Sequence, residues 1–418
     1  MTAYDAAVRR LADAQRQQID LGLGRTEQLL ERLGSPQTGL SGVLVAGTNG
    51  KGSVCAMLES VGRAAGNRTV LLTKPHLRSW TERIAIDGIP ITEDNFTSLA
   101  NEVCDYADSR FWPESQPTQF ELLTAMGILA ASRTADSFVV CEVGLGGRLD
   151  STNVLDLGAA IVTNIGRDHI AYLGESLTAI AAEKAAIIKP GNTVVTAATE
   201  PARGVVATRA MTLGAKLTVI ERGVTWTGRT LGRAGVRVDL DSPKLALRSR
   251  LCGSVQLENV AVAATMARLL GFRNERIQEG IAQVTWPGRL QWIDGDPPVL
   301  IDGAHNPPAL KYLAASVPDL ANGRRVVGVF GAMRDKQLAE MLPLIRTLTP
   351  EVVLTAVEDE RAAPPEMLAE SFGGGYAIAG VSAAIDFARE LAGRDGIVVI
   401  CGSLALAGAA LEYLSAED

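Results

Sequence analysis

Val43 to Ser53, Val-Leu-Val-Ala-Gly-Thr-Asn-Gly-Lys-Gly-Ser, constrains this chain more than any other stretch. Val43 to Ala46 form an apolar run that reads as a short buried strand. Gly47 to Ser53 follow as a glycine-rich turn with one lysine, and Val54 to Ala65 continue with helical character. Strand, glycine-rich turn and helix make a cradle for polyphosphate. The glycines let backbone N–H groups converge on an anion, and the helix N-terminus adds partial positive charge. Lys51 can reach the terminal phosphates, and the Ser53 hydroxyl can meet Mg2+. The common spacing G-x-x-x-x-G-K-[ST] is not met, because position 45 is Val and Gly52 separates Lys51 from Ser53. The match is to a shorter form, G-T-x-G-K-G-S. An ordinary glycine-rich strand-to-helix turn would need neither the lysine nor the hydroxyl.

A chain of 418 residues has room for two or three domains. With 47% hydrophobic and 21% charged residues it can bury large cores. Its net charge of −7 disfavours a general nucleic-acid surface, so phosphates must be held by local cations. The five cysteines form no C-x-x-C pair, which argues against a zinc knuckle or a disulfide framework and fits a reducing cytosol. Met1 to Arg10 lack a signal-peptide apolar core. The apolar run Ile397 to Leu411 is interrupted by glycine and falls short of the ~20 residues of a membrane span. A cytoplasmic protein is expected.

Taken in order, residues 4–33 show helical periodicity through Ile19, Leu21, Leu23, Leu29, Leu30 and Leu33, ended by Gly34 and Pro36. Thr69 to Thr73 read as a strand and Lys74-Pro75-His76-Leu77 as an irregular loop. Glu82 to Gly88 read as a hairpin arm, and 93–109 and 118–133 as helices. Ser137 to Val143 make a parallel-type strand ending in Gly144 to Asp150. The strand Ala159 to Thr163 leads into Asn164 to His169, and a helix carrying Glu183, Lys184 and Lys189 precedes Pro190-Gly191. Residues 221–252 read as an antiparallel addition, and Gln256 to Leu270 as a helix. Val284-Thr-Trp-Pro-Gly-Arg289 is a candidate linker. Further strands are expected near 298–302, 325–330, 351–356, 376–378 and 397–401. The expected fold is α/β in two domains. Residues 1–288 form a phosphate-loop, mostly parallel sheet with helices on both faces, and 289–418 a smaller Rossmann-like domain.

Polar residues cluster where open α/β sheets bind ligands, at strand carboxyl ends. All three histidines, His76, His169 and His305, fall there. Glu142 closes an apolar strand, where a carboxylate needs a partner or a metal. Lys184 and Lys189, from spacing alone, read as a solvated helix face. Asp302-Gly-Ala-His305 places a carboxylate and an imidazole after a buried strand, although turn chemistry alone also explains Asp, Gly and Asn there.

Five segments then stand together: Gly47 to Ser53, Glu142 to Asp150, Asp168-His169, Glu183 to Gly191, and Asp302 to Pro307. In this combination, from about residue 19 to about 411, the chain resembles folylpolyglutamate synthase/dihydrofolate synthase, a branch of the Mur-type ATP-dependent amide ligases. The resemblance implies that ATP phosphorylates a carboxylate and that an amino group, usually of glutamate, displaces phosphate in a cleft that excludes water. It implies that Gly47, Thr48, Asn49, Gly50, Lys51, Gly52 and Ser53 bind nucleotide, joined by Asn259, Arg289 and Asp302. Ser53, Glu142 and His169 would hold Mg2+, with Lys184 as a carbamate that offers oxygen ligands. Thr118, Gln119, Phe120, Glu121, Leu149 and Asp150 would line the pterin side. Lys51, Lys184 and His305 would serve catalysis. ATP and Mg2+ are the implied cofactors, with K+ an additional candidate. A monomer acting on a pterin or folate acid and glutamate is expected, without nucleic acid or membrane.

Lys74 departs from that pattern, since the related loop usually reads T-S-P-H-L and its serine helps hold a metal. Leu44 stands where a histidine is common, and Val255-Gln256 where the helix usually opens with a His-Gln pair. Two other readings remain open: a Mur-like ligase for a different acid and amino acid, and a nucleotide-binding relative without catalysis. Lys74 itself is expected either to pair with Glu142 or a terminal phosphate, or to point outward while Thr73 supplies an oxygen.

Overall fold

The computed structural model describes residues 2–14, 21–109, 112 and 115–416. They form two compact units. The first comprises Met1–Thr227, Asp239–Leu247 and Glu258–Val284, and the second Gly228–Val238, Arg248–Leu257 and Thr285–Asp418.

The first unit is built on eight strands: β1 (Ser41–Ala46), β2 (Thr69–Leu72), β3 (Ile84–Ile86), β4 (Ile89–Pro90), β5 (Phe138–Glu142), β6 (Ala159–Val162), β7 (Thr193–Thr196) and β8 (Lys216–Val219), in the order β4-β3-β2-β5-β1-β6-β7-β8. From β2 to β8 all neighbours are parallel, and β3 and β4 add antiparallel at one edge. The central strands read as continuous apolar runs because both of their faces are buried, as parallel strands require. Register levels the strand ends: Val45 pairs with Glu142, and Ala46 with Val162. The residues just beyond β1, β5 and β6 therefore emerge side by side.

The helix Lys51–Ala64 runs back from β1 and is buried along most of its length. Helix Asn274–Gln283 packs closely on it. Ser60 Oγ donates to the Gly280 carbonyl at 2.8 Å, and a Cβ at position 280 would lie 2.5 Å from the Val61 Cα. Only glycine permits that approach.

Strands β9 (Trp226–Thr230), β10 (Val236–Asp241) and β11 (Lys244–Ser249) form a separate sheet, ordered β11-β10-β9. The last sheet comprises β12 (Gln291–Ile293), β13 (Val299–Ile301), β14 (Val326–Phe330), β15 (Val352–Leu354), β16 (Tyr376–Ala377) and β17 (Ile397–Cys401), ordered β12-β13-β17-β14-β15-β16. It is parallel except for β12, which runs antiparallel to β13. Its core gathers Leu300, Leu313, Phe330, Leu354 and Val399.

Two expectations need correction. The single helical run over 4–33 is two helices, Ala3–Asp13 and Gly24–Arg32, with Leu21 to Leu23 outside both, while Ile19 lies outside the described residues. The helix with Glu183 and Lys184 spans Leu177–Ala185, so Lys189 lies beyond it, and its ammonium donates to the Asn153 carbonyl at 2.8 Å. Among the described residues no helix is long and apolar enough to cross a membrane.

Candidate active site

The glycine-rich turn is latched to the end of β6. Thr48 N–H donates to the Asn164 carbonyl at 2.8 Å, and Asn49 N–H to Asn164 Oδ1 at 3.0 Å. Thr163 Oγ1 donates to the Asn49 carbonyl at 2.7 Å. Gly47, at φ 150°, leaves room for that threonine, since a Cβ there would lie 1.8 Å from Thr163 Oγ1. Gly50 takes φ 82° and caps the helix, and a Cβ on it would strike Asn259 Oδ1 at 2.3 Å. The structure thus brings Asn259 to the turn.

Lys51 curls back over the turn, and its ammonium donates to the carbonyls of Gly47 and Thr48, each at 3.1 Å. Lys184 reaches the same place from the helix Leu177–Ala185. Its Nζ donates to the Gly47 carbonyl at 2.9 Å, and only 6% of the residue is exposed. The reading of Lys184 as part of a solvated face is therefore wrong. Packing buries it: a Cβ at Gly147 would lie 2.6 Å from the Glu183 carbonyl, so the glycine lets the Gly144 to Gly147 stretch lie against this helix. Arg148 fastens the contact with an ion pair to Glu183 at 2.9 Å. Burial, reinforced by the Lys51 charge, pulls the Lys184 ammonium down to about 7, against the pull of Asp168 and Asp150.

Glu142 ends β5 and is buried. One of its oxygens accepts the Lys74 backbone N–H at 3.2 Å. The Lys74 ammonium takes another course. It lies over the Phe120 ring at 3.9 Å and approaches Thr124 Oγ1 at 3.5 Å. The Lys74 side chain thus neither pairs with Glu142 nor points outward.

On the expected pterin side, the residues are heavily engaged with one another. Thr118 and Glu121 form a reciprocal capping box, and Glu121 also binds Arg25 through a buried ion pair at 3.0 Å. Gln119 Nε2 donates to the Leu11 carbonyl at 3.2 Å. Asp150 caps the turn Ser151–Val154 and accepts N–H groups from Leu145 and Thr152. Phe120 and Leu149 are half-buried. His169 is exposed at φ 50°, its Nε2 3.8 Å from Asp168 Oδ1.

A divalent cation can be tested against these groups. Among the described residues no three His, Cys, Asp or Glu side chains converge as a metal site. The buried Glu142 carboxylate and the Ser53 hydroxyl are oxygen donors suited to Mg2+, and a carbamate on Lys184 would be a third. That donor set fits a hard cation.

The second unit carries its own cluster. Asp302 accepts from Leu290 N–H and Ala304 N–H, both at 2.9 Å, and a Cβ on Gly303 would lie 2.6 Å from Arg289 Nη1. Burial raises the Asp302 carboxyl, and Arg289 opposes that shift. His305 Nδ1 is 2.8 Å from the Gly303 carbonyl. Sequence reasoning does not single out Thr163, Asn164, Arg25 or Arg83. A hydroxyl and an amide directly after a strand were the available signal for the first two.

A glycine-rich strand-to-helix turn, a buried lysine beside it and a second α/β unit are the architecture of a nucleotide-dependent ligase of the Mur type. The Mur ligase middle domain matches residues 45–267, and the glutamate ligase domain of Mur ligases matches 288–404. The dihydrofolate synthase/folylpolyglutamate synthase of Bacillus subtilis is 34% identical over 92% of both chains. The solved structure of Escherichia coli FolC in complex with DHPP and ADP superposes with a TM-score of 0.89 at 31% identity, covering 100% of this chain and 98% of that one. A bifunctional folylpolyglutamate synthase/dihydrofolate synthase with Mn, AMPPNP and L-glutamate bound gives 0.85 at 29% identity, covering 99% and 98%. The chain belongs to the dihydrofolate synthase/folylpolyglutamate synthase family of Mur-type, ATP-dependent ligases.

Proposed function

We propose that this enzyme uses ATP to join glutamate to dihydropteroate, to a folate, or to both. The observation that carries the reading is the convergence of Lys51 and Lys184 on the Gly47 carbonyl at the phosphate turn. The turn from Gly47 to Ser53 holds the polyphosphate through backbone N–H groups, and Lys51 stabilises charge on the transferring phosphoryl group. The substrate carboxylate oxygen attacks the terminal phosphorus and ADP leaves. The amine of glutamate then attacks the acyl carbon, phosphate departs, and the nitrogen loses a proton. Asn259, Arg289 and Asp302 are assigned to the nucleotide, and His305 to the reacting groups. Phe120 and Leu149 offer apolar surface to the pterin, beside Thr118, Gln119, Glu121 and Asp150.

Glu142, Ser53 and a carbamate on Lys184 would hold Mg2+, and His169 is a further candidate. When bound, the ion offsets phosphate charge. The carbamate forms when the neutral Lys184 amine adds to CO2 and releases a proton, which an amine with a value near 7 can do at neutral pH. The same proposal assigns residues 1–288 to ATP and pterin binding and 289–418 to the ligase role. It describes a cytoplasmic monomer, in keeping with five free, buried cysteines.

The test is ATP turnover with dihydropteroate or tetrahydrofolate plus glutamate, with products read by mass. ADP formation that depends on the acid, with a product heavier by one glutamyl residue, is expected. Turnover only with other acids would make this a Mur-like ligase of different specificity. Binding without turnover would make it a non-catalytic relative.

A further inference from the structure

Lys74 and Arg83 lie outside the glycine-rich turn, and among the described residues neither makes an ion pair. Arg83 stands at the start of the antiparallel edge, where Thr73 N–H donates to its carbonyl at 3.1 Å and Leu72 pairs with Ile84. This register sets Arg83 opposite Thr73, one residue before Lys74, and the Arg83 charge acts on the Lys74 ammonium.

Arg83 is held by its own loop. Its Nε donates to His76 Nδ1 at 2.9 Å, and its guanidinium lies 4.9 Å from the centre of the Trp80 ring. An imidazole that accepts this bond is neutral, and burial with the Arg83 charge pulls His76 down to about 4. The nearest carboxylate along the loop is already engaged: Glu82 accepts the N–H groups of Leu77, Arg78 and Ser79 at 2.7, 3.1 and 3.1 Å. Among the described residues Arg83 thus makes no ion pair, and its terminal nitrogens make no hydrogen bond. Among the described residues Lys74 makes no ion pair either, and its only polar side-chain contact is Thr124 Oγ1 at 3.5 Å. The carboxylates near Lys74 have donors of their own. Asp150 accepts from Leu145 and Thr152, and Glu142 from the Lys74 backbone.

Asp150 and Glu142 act on Lys74, and Glu82 on Arg83, without a direct ion pair, and a buried cation so placed gains from a ligand that supplies one. The guanidinium fork suits a bidentate carboxylate or phosphate, with the ammonium as a second point charge. The flanking groups decide between these anions. The Trp80 and Phe120 rings lie against the cations and make their surroundings apolar, which suits an organic acid with an apolar body, and phosphate already has Lys51 and the glycine-rich turn.

We propose that Lys74 and Arg83 form a two-cation receptor for a carboxylate that does not react, and that it selects acids carrying a second carboxylate. This rests on the ligase reading above. It makes folates that already bear glutamate better substrates than dihydropteroate, whose one carboxylate is consumed by the reaction.

The experiment uses the full chain with Lys74→Met and Arg83→Leu, each checked by thermal melt. Lys74→Met decides alone if the second variant does not fold. The readout is the ratio of kcat/KM for a pteroyl-diglutamate to that for dihydropteroate, together with ADP affinity. The ratio should fall about tenfold to a hundredfold, the effect of losing one charge-assisted contact. An unchanged ratio overturns the receptor, and so does a fall in ADP affinity, which would assign the cations to phosphate. A separate arm titrates glutarate and butyrate by calorimetry. Glutarate should bind the unaltered protein more tightly than butyrate and lose that advantage in Lys74→Met, and equal binding in the unaltered protein overturns the proposal. If the unaltered protein turns over neither acid, the ligase reading fails while the glutarate arm still judges the receptor.

Discussion

The Lys184 ammonium donates to the carbonyl oxygen of Gly47 at 2.9 Å, from a helix 137 residues further along the chain. This contact delivers a buried amine to the glycine-rich turn. Carbamylation there is expected, and 13C-bicarbonate should give a carbamate carbon resonance that Lys184→Ala abolishes. The variant should lose about a hundredfold in turnover, as supporting ligands of metal sites do, and recover part of it with propionate. No resonance, together with near-normal turnover of the variant, would remove the carbamate.

Lys51→Ala should lower turnover by about 10²–10³-fold, the usual effect of deleting one preorganised charge-stabilising donor. Stability should change little, because the ammonium contacts only the turn carbonyls of Gly47 and Thr48. ADP release and a melting curve decide. A variant that unfolds would assign Lys51 to the scaffold.

Glu121 and Arg25 form an ion pair of which 3% and 7% of the side chains are exposed. Removing one partner strands a buried charge, so Arg25→Met should cost about 3–5 kcal/mol of stability. The double variant Arg25→Met, Glu121→Leu should cost less than the single one. Denaturant titration of both measures this, and additive losses would count against a coupled pair.

Gly280→Ala should destabilise by about 1–3 kcal/mol, because the new methyl collides with Val61 backbone that cannot move aside. Gly271→Ala has no neighbour within 4 Å, but its φ of 85° makes it a control for backbone strain alone. Equal effects at both sites would show that the close helix contact matters little.

His76 contributes a pH dependence whose sign is fixed. Its value falls from 6.5 to about 4 in the folded protein, through burial first and Arg83 second. The unfolded chain binds more protons between those values, so stability rises with pH there. The contribution is complete above about pH 6.5 and lost as pH falls toward 4, on the order of 2–3 kcal/mol in all. His76→Asn should therefore lose less stability than the unaltered protein between pH 7 and 4.5. Parallel losses would refute this.

Much of the fold is legible in the chain, and the reasons are local. The runs Val43 to Ala46, Val139 to Cys141 and Ile397 to Cys401 are apolar on both faces because the strands are buried on both. The edge strand Gln291–Ile293 escapes notice because three residues carry no period. The break at Leu21 to Leu23 is hidden because leucines continue across it. The burial of Lys184 is a tertiary fact, since it depends on a missing Cβ at Gly147. The course of Lys74 depends on Phe120 and Thr124, which lie some fifty residues further along the chain and which spacing does not bring to it. Glu121 was more readable than its assignment to substrate suggests, because Thr-x-x-Glu before an apolar run is a capping-box signature.

The pairing of Val45 with Glu142 also makes the sheet a measure of length. Inserting one residue into β5 would turn the Glu142 carboxylate to the opposite face. Inserting two would restore the face but carry the carboxylate about 6.6 Å along the strand, past the turn that follows β1. Insertions of even number keep the alternation of this strand, but each carries Glu142 away from its level with Val45. Changes of length in this protein belong in loops that lie away from the ends of β1, β5 and β6.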